Sequence, residues 1–261
     1  MKKGLIIAGS DTLSGGGLQT DIRTFSAHNL SVSNVLTCIV TLDSETNAID
    51  ICDLPVGLVE QQLQMIAFSS ISVIKIGMLA NLAVAKQIEL FLKRMTTTPI
   101  ILDPVLALKE SGFGLSEKIV SFFSERLLPL ADITTPNLRE AELLANMTIT
   151  TLADMEQAAK VIHQFGVKNV VIKGGTRLVG IEAIDLLYDG HNYTYFKAPK
   201  LQTTNNNGAG CTFASAIAAN VANGLSVTES VTDAKKFVYQ AIKHGFPFLD
   251  DLGNVWAPNK M

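Results

Sequence analysis

Cysteine, tryptophan and net charge are all scarce in this chain, and each scarcity removes a class of protein. Only Cys38, Cys52 and Cys211 occur in 261 residues, an odd number with neither a CxxC pair nor a Cys/His ligand spacing. That excludes a disulfide framework and argues against zinc; Cys38 and Cys52 read as packing. Lysine and arginine (21) do not outnumber aspartate and glutamate (24), so the basic footprint of a nucleic-acid binder is missing. Hydrophobic residues make up 48% and charged residues 17%, a balance that excludes disorder. No run approaches the roughly 18 consecutive apolar residues of a membrane span. The apolar run that follows Lys2 and Lys3 meets Gly9 at once, too short for a secretory signal, and reads as a first strand. The four histidines, His28, His163, His191 and His244, have no paired spacing, and Trp256 reads as an anchor for the C-terminal segment. The expectation is one soluble, cytoplasmic domain over residues 1–261, with small molecules as partners and neither nucleic acid nor membrane.

What the chain does have is alternation. Runs rich in β-branched residues at 5–8, 35–42, 73–76, 100–102, 133–134 and 170–172 are separated by amphipathic stretches, the pattern of βα units around a mostly parallel sheet covered on both faces. Residues 186–195 alternate around Asp189-Gly190, a hairpin signal that breaks the parallel pattern and belongs at the sheet edge. Thr151 with Asp154, and Ser226 with Glu229, have the spacing of capping boxes. Each strand run ends beside Gly, Asp, Pro, Asn or Lys, and in open α/β sheets the carboxyl ends of the strands form the ligand crevice.

The most informative stretch is Asn207-Gly208-Ala209-Gly210-Cys211-Thr212, set before an apolar helical pattern that Gly224 closes. Two glycines allow a tight turn that aims backbone amides one way, and the following helix adds the positive end of its dipole. That is a seat for an anion, with Cys211 beside it as a base or nucleophile. Phe213, Ile217 and Val221 recur every fourth residue, and Ala214 and Ala218 allow close approach, so the helix is held rigidly. Three strand ends add polar groups. Asp103-Pro104 fixes a carboxylate that either reaches a metal or caps a helix. Asn137 and Glu140 lie one helical turn apart, an arrangement that serves a hydrated magnesium ion or a helix cap. Lys173-Gly174-Gly175 either places an ammonium against phosphates or forms a solvated turn. Gly9 and Gly15 to Gly17 do not make GxGxxG, so the dinucleotide fingerprint is absent.

In order, Ile7-Ala8-Gly9-Ser10-Asp11, Gly15-Gly16-Gly17 with Gln19-Thr20-Asp21, Lys75-Ile76-Gly77-Met78-Leu79, Asp103-Pro104-Val105, Thr135-Pro136-Asn137 with Glu140-Ala141, Lys173-Gly174-Gly175 and Asn207 through Phe213 resemble the ribokinase-like superfamily. The resemblance is to the bacterial branch holding hydroxymethylpyrimidine kinases and pyridoxal kinases. It implies a three-layer α/β/α fold with a central, mostly parallel sheet and an antiparallel edge hairpin. It implies ATP and Mg2+ as cofactors, a homodimer, and transfer of the ATP γ-phosphate to an alcohol. By resemblance Asp11, Gly17, Met78, Val105 and Lys109 belong to the substrate side and Asp103 and Glu140 to magnesium. Asn137, Lys173, Gly175 and Thr212 fall to nucleotide phosphate, and Phe213, Phe237 and Ala241 to an adenine pocket. Gly208, Ala209, Gly210 and Cys211 match the anion hole and its base, cysteine here where much of the superfamily has aspartate. The helix end lowers the thiol pKa from its usual value of about 8.5 while nearby phosphates oppose ionisation, so its charge at rest stays open.

Two details bear on the substrate. In Ile39-Val40-Thr41-Leu42-Asp43, Asp43 stands where pyrimidine kinases of this branch have a glutamine, and the wording resembles the pyridoxal kinases. So does Asp53-Leu54-Pro55 with Val59 to Leu63. The resemblance therefore implies a B6 vitamer as acceptor, with the pyrimidine as the alternative and a catalytically weak B6-binding protein as a lesser one. Some cysteine-type relatives carry a second cysteine on a lid; Leu108 occupies that place, although residues 109–114 keep glycines suited to a cover.

Overall fold

The computed structural model describes residues 1–42, 45, 49–66, 70–106, 117–249 and 252–256. Asp43, Leu108, Lys109 and the proposed cover at 109–114 lie outside the described residues. The core is one nine-stranded sheet, built from β1 (Lys3–Asp11), β2 (Ser31–Leu42), β3 (Ile49–Asp53), β4 (Val73–Ile76), β5 (Ile100–Leu102), β6 (Ile133–Thr134), β7 (Asn169–Lys173), β8 (Glu182–Tyr188) and β9 (Tyr193–Pro199). Its order is β3-β2-β1-β4-β5-β6-β7-β8-β9. The six strands from β2 to β7 pair in parallel, while β3, β8 and β9 are antiparallel to their neighbours. The edge hairpin thus lies where the Asp189-Gly190 signal puts it.

Side chains alternate across the pleat and divide the apolar strand residues between two cores. Leu5, Ile7, Ile74, Ile76, Leu102 and Ile172 face α2 (Val56–Gln64), α3 (Leu82–Leu92), α4 (Glu117–Phe122), α5 (Leu138–Ala145) and α6 (Leu152–His163). Ile6, Ala8, Val73, Ile101 and Val171 face α1 (Gly17–Ala27), α7 (Ala209–Asn223) and α8 (Val227–Lys243). Three layers result, which is why the central strands read as continuous apolar runs rather than alternating ones. The capping boxes at Thr151/Asp154 and Ser226/Glu229 both form, and Gly224 closes α7 in the left-handed conformation at φ 95°.

Three strands escaped the sequence reading. β3 is a largely exposed edge strand carrying Asp50 and Asp53, with no apolar run to announce it. The others, β10 (Phe246–Leu249) and β11 (Leu252–Asn254), form a separate two-stranded hairpin near the C-terminus. Among the described residues no helix is long and apolar enough to cross a membrane.

Candidate active site

β1 has parallel neighbours on both sides, β2 and β4, so the connections leave it in opposite directions and open a crevice at the strands' carboxyl ends. A cavity of about 270 Å³ lies there. Asp11 from β1, Gly77 and Met78 after β4, Asp103 and Val105 after β5, Asn137 after β6 and Lys173 from β7 all line it, together with Gly17, Gly208, Gly210 and Cys211. These residues, far apart in sequence, meet because they lie at the carboxyl ends of strands of one sheet or at the two helix N-termini beside them.

Two glycine turns form the roof. Gly16 caps α1 and Gly208 caps α7, so two helix N-termini converge on the cavity. Gly208 has φ 84°, and a Cβ on it would lie 1.7 Å from the Gly15 carbonyl oxygen, so no other residue fits. The Asp11 carboxylate shapes the first turn, accepting backbone N–H bonds from Leu13, Gly15 and Gly16 at 2.9, 3.1 and 2.8 Å. Asp11 therefore organises the turn as well as lining the cavity.

Cys211 sits in the first turn of α7, and its sulfur accepts a hydrogen bond from the Gly17 backbone N–H. Helix-end placement alone left the charge of this thiol at rest open, and burial bears on it. Although Cys211 keeps a partly open edge on the cavity, burial pushes its thiol up to about 11. The Lys75 ammonium opposes the rise, and Asp21 and Asp103 add to it. The resting group is a neutral thiol.

Across the cavity lies an acid–base cluster. Asp103, 2% exposed, accepts from Lys173 Nζ at 2.8 Å and from Thr135 Oγ1 at 3.0 Å. Asn137 and Glu140 form the capping box of α5: Asn137 Oδ1 accepts from the Glu140 N–H at 3.0 Å, and Glu140 Oε2 from the Asn137 N–H at 2.7 Å. The cap reading therefore holds, yet both residues also line the cavity. Burial pushes the Glu140 carboxyl up to about 8, against the pull of Lys173 and with help from Asp103. Lys173 is raised: burial works against its charge, but Asp103 and Glu140 more than compensate. A cation paired with Asp103 and close to Glu140 is a place for phosphate oxygens to compete.

Other expected residues stand elsewhere. Phe213, Phe237 and Ala241 are buried in the core beneath α7 and α8, with the Phe237 ring against His28, and do not line the cavity. They pack in the core, and the helical period of Phe213 already indicated a packed face. Thr212 is fully buried with no partner for its hydroxyl, Gly175 is exposed in the turn beyond β7 at φ 56°, and Ala209 opens α7 beside the cavity lining.

Reading the sequence missed one buried network. Lys75 and Asp21 are fully buried and paired at 2.7 Å, and Asp21 also accepts from Ser215 Oγ at 2.7 Å, one turn beyond Cys211 on α7. Lys75 lines the cavity floor. Burial alone would lower its pKa, but Asp21 and then Cys211 hold it raised and charged. A lysine inside the apolar strand Val73-Ile74-Lys75-Ile76 was the available signal, since a buried charge requires a partner. A second pair, Lys235–Asp185 at 2.7 Å, ties α8 to β8, and Asp185 Oδ1 accepts the Gly174 N–H at 3.0 Å, steadying the turn after Lys173.

A family model described as phosphomethylpyrimidine kinase matches residues 11–256. The Bacillus subtilis pyridoxal kinase, solved as an ADP complex, is 34% identical, with a TM-score of 0.94 over 99% of this chain and 98% of that one. The Staphylococcus aureus pyridoxal kinase, in complex with AMP-PCP and pyridoxal, is 37% identical, with a TM-score of 0.92 over 98% and 93%. A phosphomethylpyrimidine kinase from Clostridium difficile is 31% identical, with a TM-score of 0.79 over 93% and 100%. Matched from its first strand to its last hairpin, the chain belongs to the phosphomethylpyrimidine kinase family, within the ribokinase-like kinases.

Proposed function

We propose that this chain is an ATP-dependent kinase that phosphorylates the hydroxymethyl group of pyridoxal, pyridoxine or pyridoxamine. One observation carries the chemistry: Cys211, at a glycine-lined helix mouth, shares a cavity with Lys173, Asp103 and Glu140. The higher TM-scores to pyridoxal kinases than to the pyrimidine kinase favour the B6 acceptor.

A primary alcohol ionises far above neutral pH and needs a base within hydrogen-bond reach as it attacks the γ-phosphate. Cys211 takes that proton. Because its thiol is neutral at rest, Cys211 first loses its own proton to solvent; Lys75 and the two helix ends favour the resulting thiolate, which then accepts the alcohol proton as the phosphoryl group is transferred. Backbone amides of residues 208–211 face the phosphoryl oxygens, and Lys173 leaves Asp103 to meet phosphate. Asn137 adds an amide at the same wall.

The donor set fits magnesium. Asp103 and Glu140 offer hard oxygens, while among the described residues no group of three or more His, Cys, Asp or Glu is ready to cage a metal. Magnesium suits such a site because it keeps several waters and takes only one or two carboxylates beside the nucleotide phosphates. Bound there, it would offset negative charge on those phosphates.

The test presents purified protein and Mg-ATP separately with pyridoxal, pyridoxine, pyridoxamine and hydroxymethylpyrimidine. A B6 vitamer should turn over fastest, and Cys211→Ala should lower kcat on the order of 10²–10⁴-fold, the usual share of a general base. Equal or better turnover of the pyrimidine would move the assignment to that substrate.

A further inference from the structure

The C-terminal hairpin reaches back into the roof of the cavity through one buried amide. Asn254, 2% exposed, donates from Nδ2 to the Leu13 carbonyl at 3.1 Å and accepts at Oδ1 from Asn207 Nδ2 at 3.0 Å. The Leu13 carbonyl can only accept, so the amide has one workable orientation. Leu13 belongs to the turn that Asp11 organises, and Asn207 immediately precedes Gly208. One side chain therefore holds both glycine turns. The backbone repeats the tie, with the Asn207 N–H donating to the Gly253 carbonyl and the Val255 N–H to the Asn207 carbonyl, both at 3.0 Å.

The packing leaves no slack. A Cβ on Gly15 would fall 1.8 Å from Asn207 Nδ2 and 2.4 Å from Asn254 Oδ1. Outside this junction, the Trp256 N–H donates to the Ala241 carbonyl at 2.9 Å, and Arg23 lies 5.8 Å from the Trp256 ring centroid while donating to the Ser14 carbonyl at 2.7 Å. The segment is fastened to α8, α1 and the first turn together.

We infer that Asn254 is a positioning residue for phosphoryl transfer, setting the register of the acceptor-side turn against the anion-hole turn. This rests on the kinase reading above, in which Asp11 and Gly17 face the acceptor and Gly208 to Cys211 face the phosphoryl group. Each ligand has its own contacts on one side, so losing the tie leaves both binding steps intact. What suffers is the alignment between them, where a misplacement of about 1 Å costs on the order of 10²-fold.

Steady-state kinetics of Asn254→Ala and Asn254→Asp with Mg-ATP and whichever acceptor the wild type prefers provide the test. Asn254→Asp keeps the acceptor for Asn207 and turns an oxygen on the Leu13 carbonyl, so it serves if the alanine variant does not fold. The expected result is a fall in kcat of at least about tenfold with both KM values within about twofold. Phe248→Ala, an exposed change in the same hairpin, should leave kcat unaltered. Unchanged kcat in a folded Asn254 variant, or KM values rising together with the loss of kcat, would overturn the inference in favour of a purely structural role. A wild type that phosphorylates neither vitamer nor pyrimidine would instead remove the kinase reading.

Discussion

Cys211 sets a helix end against burial, and burial wins. The charge of the helix N-terminus was legible in Gly208-Ala209-Gly210-Cys211, but the burial of the sulfur was not, nor were the groups that act on it, Gly17, Lys75, Asp21 and Asp103, which are far away in sequence. With the folded thiol at about 11, iodoacetamide should modify exposed Cys52 well before Cys211 at pH 8. Labelling of Cys211, followed by peptide mass spectrometry, should accelerate as pH rises towards 11. Rapid labelling of Cys211 at pH 8 would mean a resting thiolate, and the base would then be preformed. Asp103, Asn137, Glu140 and Lys173 were legible for a related reason: each is polar and lies at the carboxyl end of an apolar strand or in the turn and first helical turn that follow it. Lys75 carried a sign, a charge within an apolar strand, but Asp21 did not, and the pair emerges only when the fold brings them together.

Helix ends were well announced where a side chain closes its own turn. Thr151/Asp154 and Ser226/Glu229 form boxes within four residues, so nothing distant is needed to complete them. Asp154 also accepts from the Thr150 backbone and hydroxyl at 3.0 and 2.9 Å, and these bonds with those of Thr151 hold its carboxyl at about 2. Its folded pKa is below the ordinary value of 3.8. The cap therefore contributes fully above that value and is lost as pH falls through about 2. Thermal melts between pH 5 and 2 should show Asp154→Asn losing less stability on acidification than the wild type, and parallel curves would contradict the assignment. β3, in contrast, gave no local sign, because an exposed edge strand is specified by the neighbour it pairs with rather than by its own pattern.

On the scale of the whole molecule, the parallel centre and antiparallel edge followed from runs and a turn that are local in sequence, whereas the site did not. Its parts come from opposite ends of the chain: Asn254 and Leu13 are 241 positions apart, and Ser215 and Asp21 are 194 apart. Contacts of such separation carry a large loop-closure cost and form after the local ones that support them. A ribosome delivers the chain from its N-terminus, so β1 and the first glycine turn emerge long before Asn207 or Asn254 exist to meet them. Assembly of the crevice is thus a late event: a nascent chain that stops short of the second turn carries all nine strands of the main sheet but lacks the glycine turn that roofs the cavity.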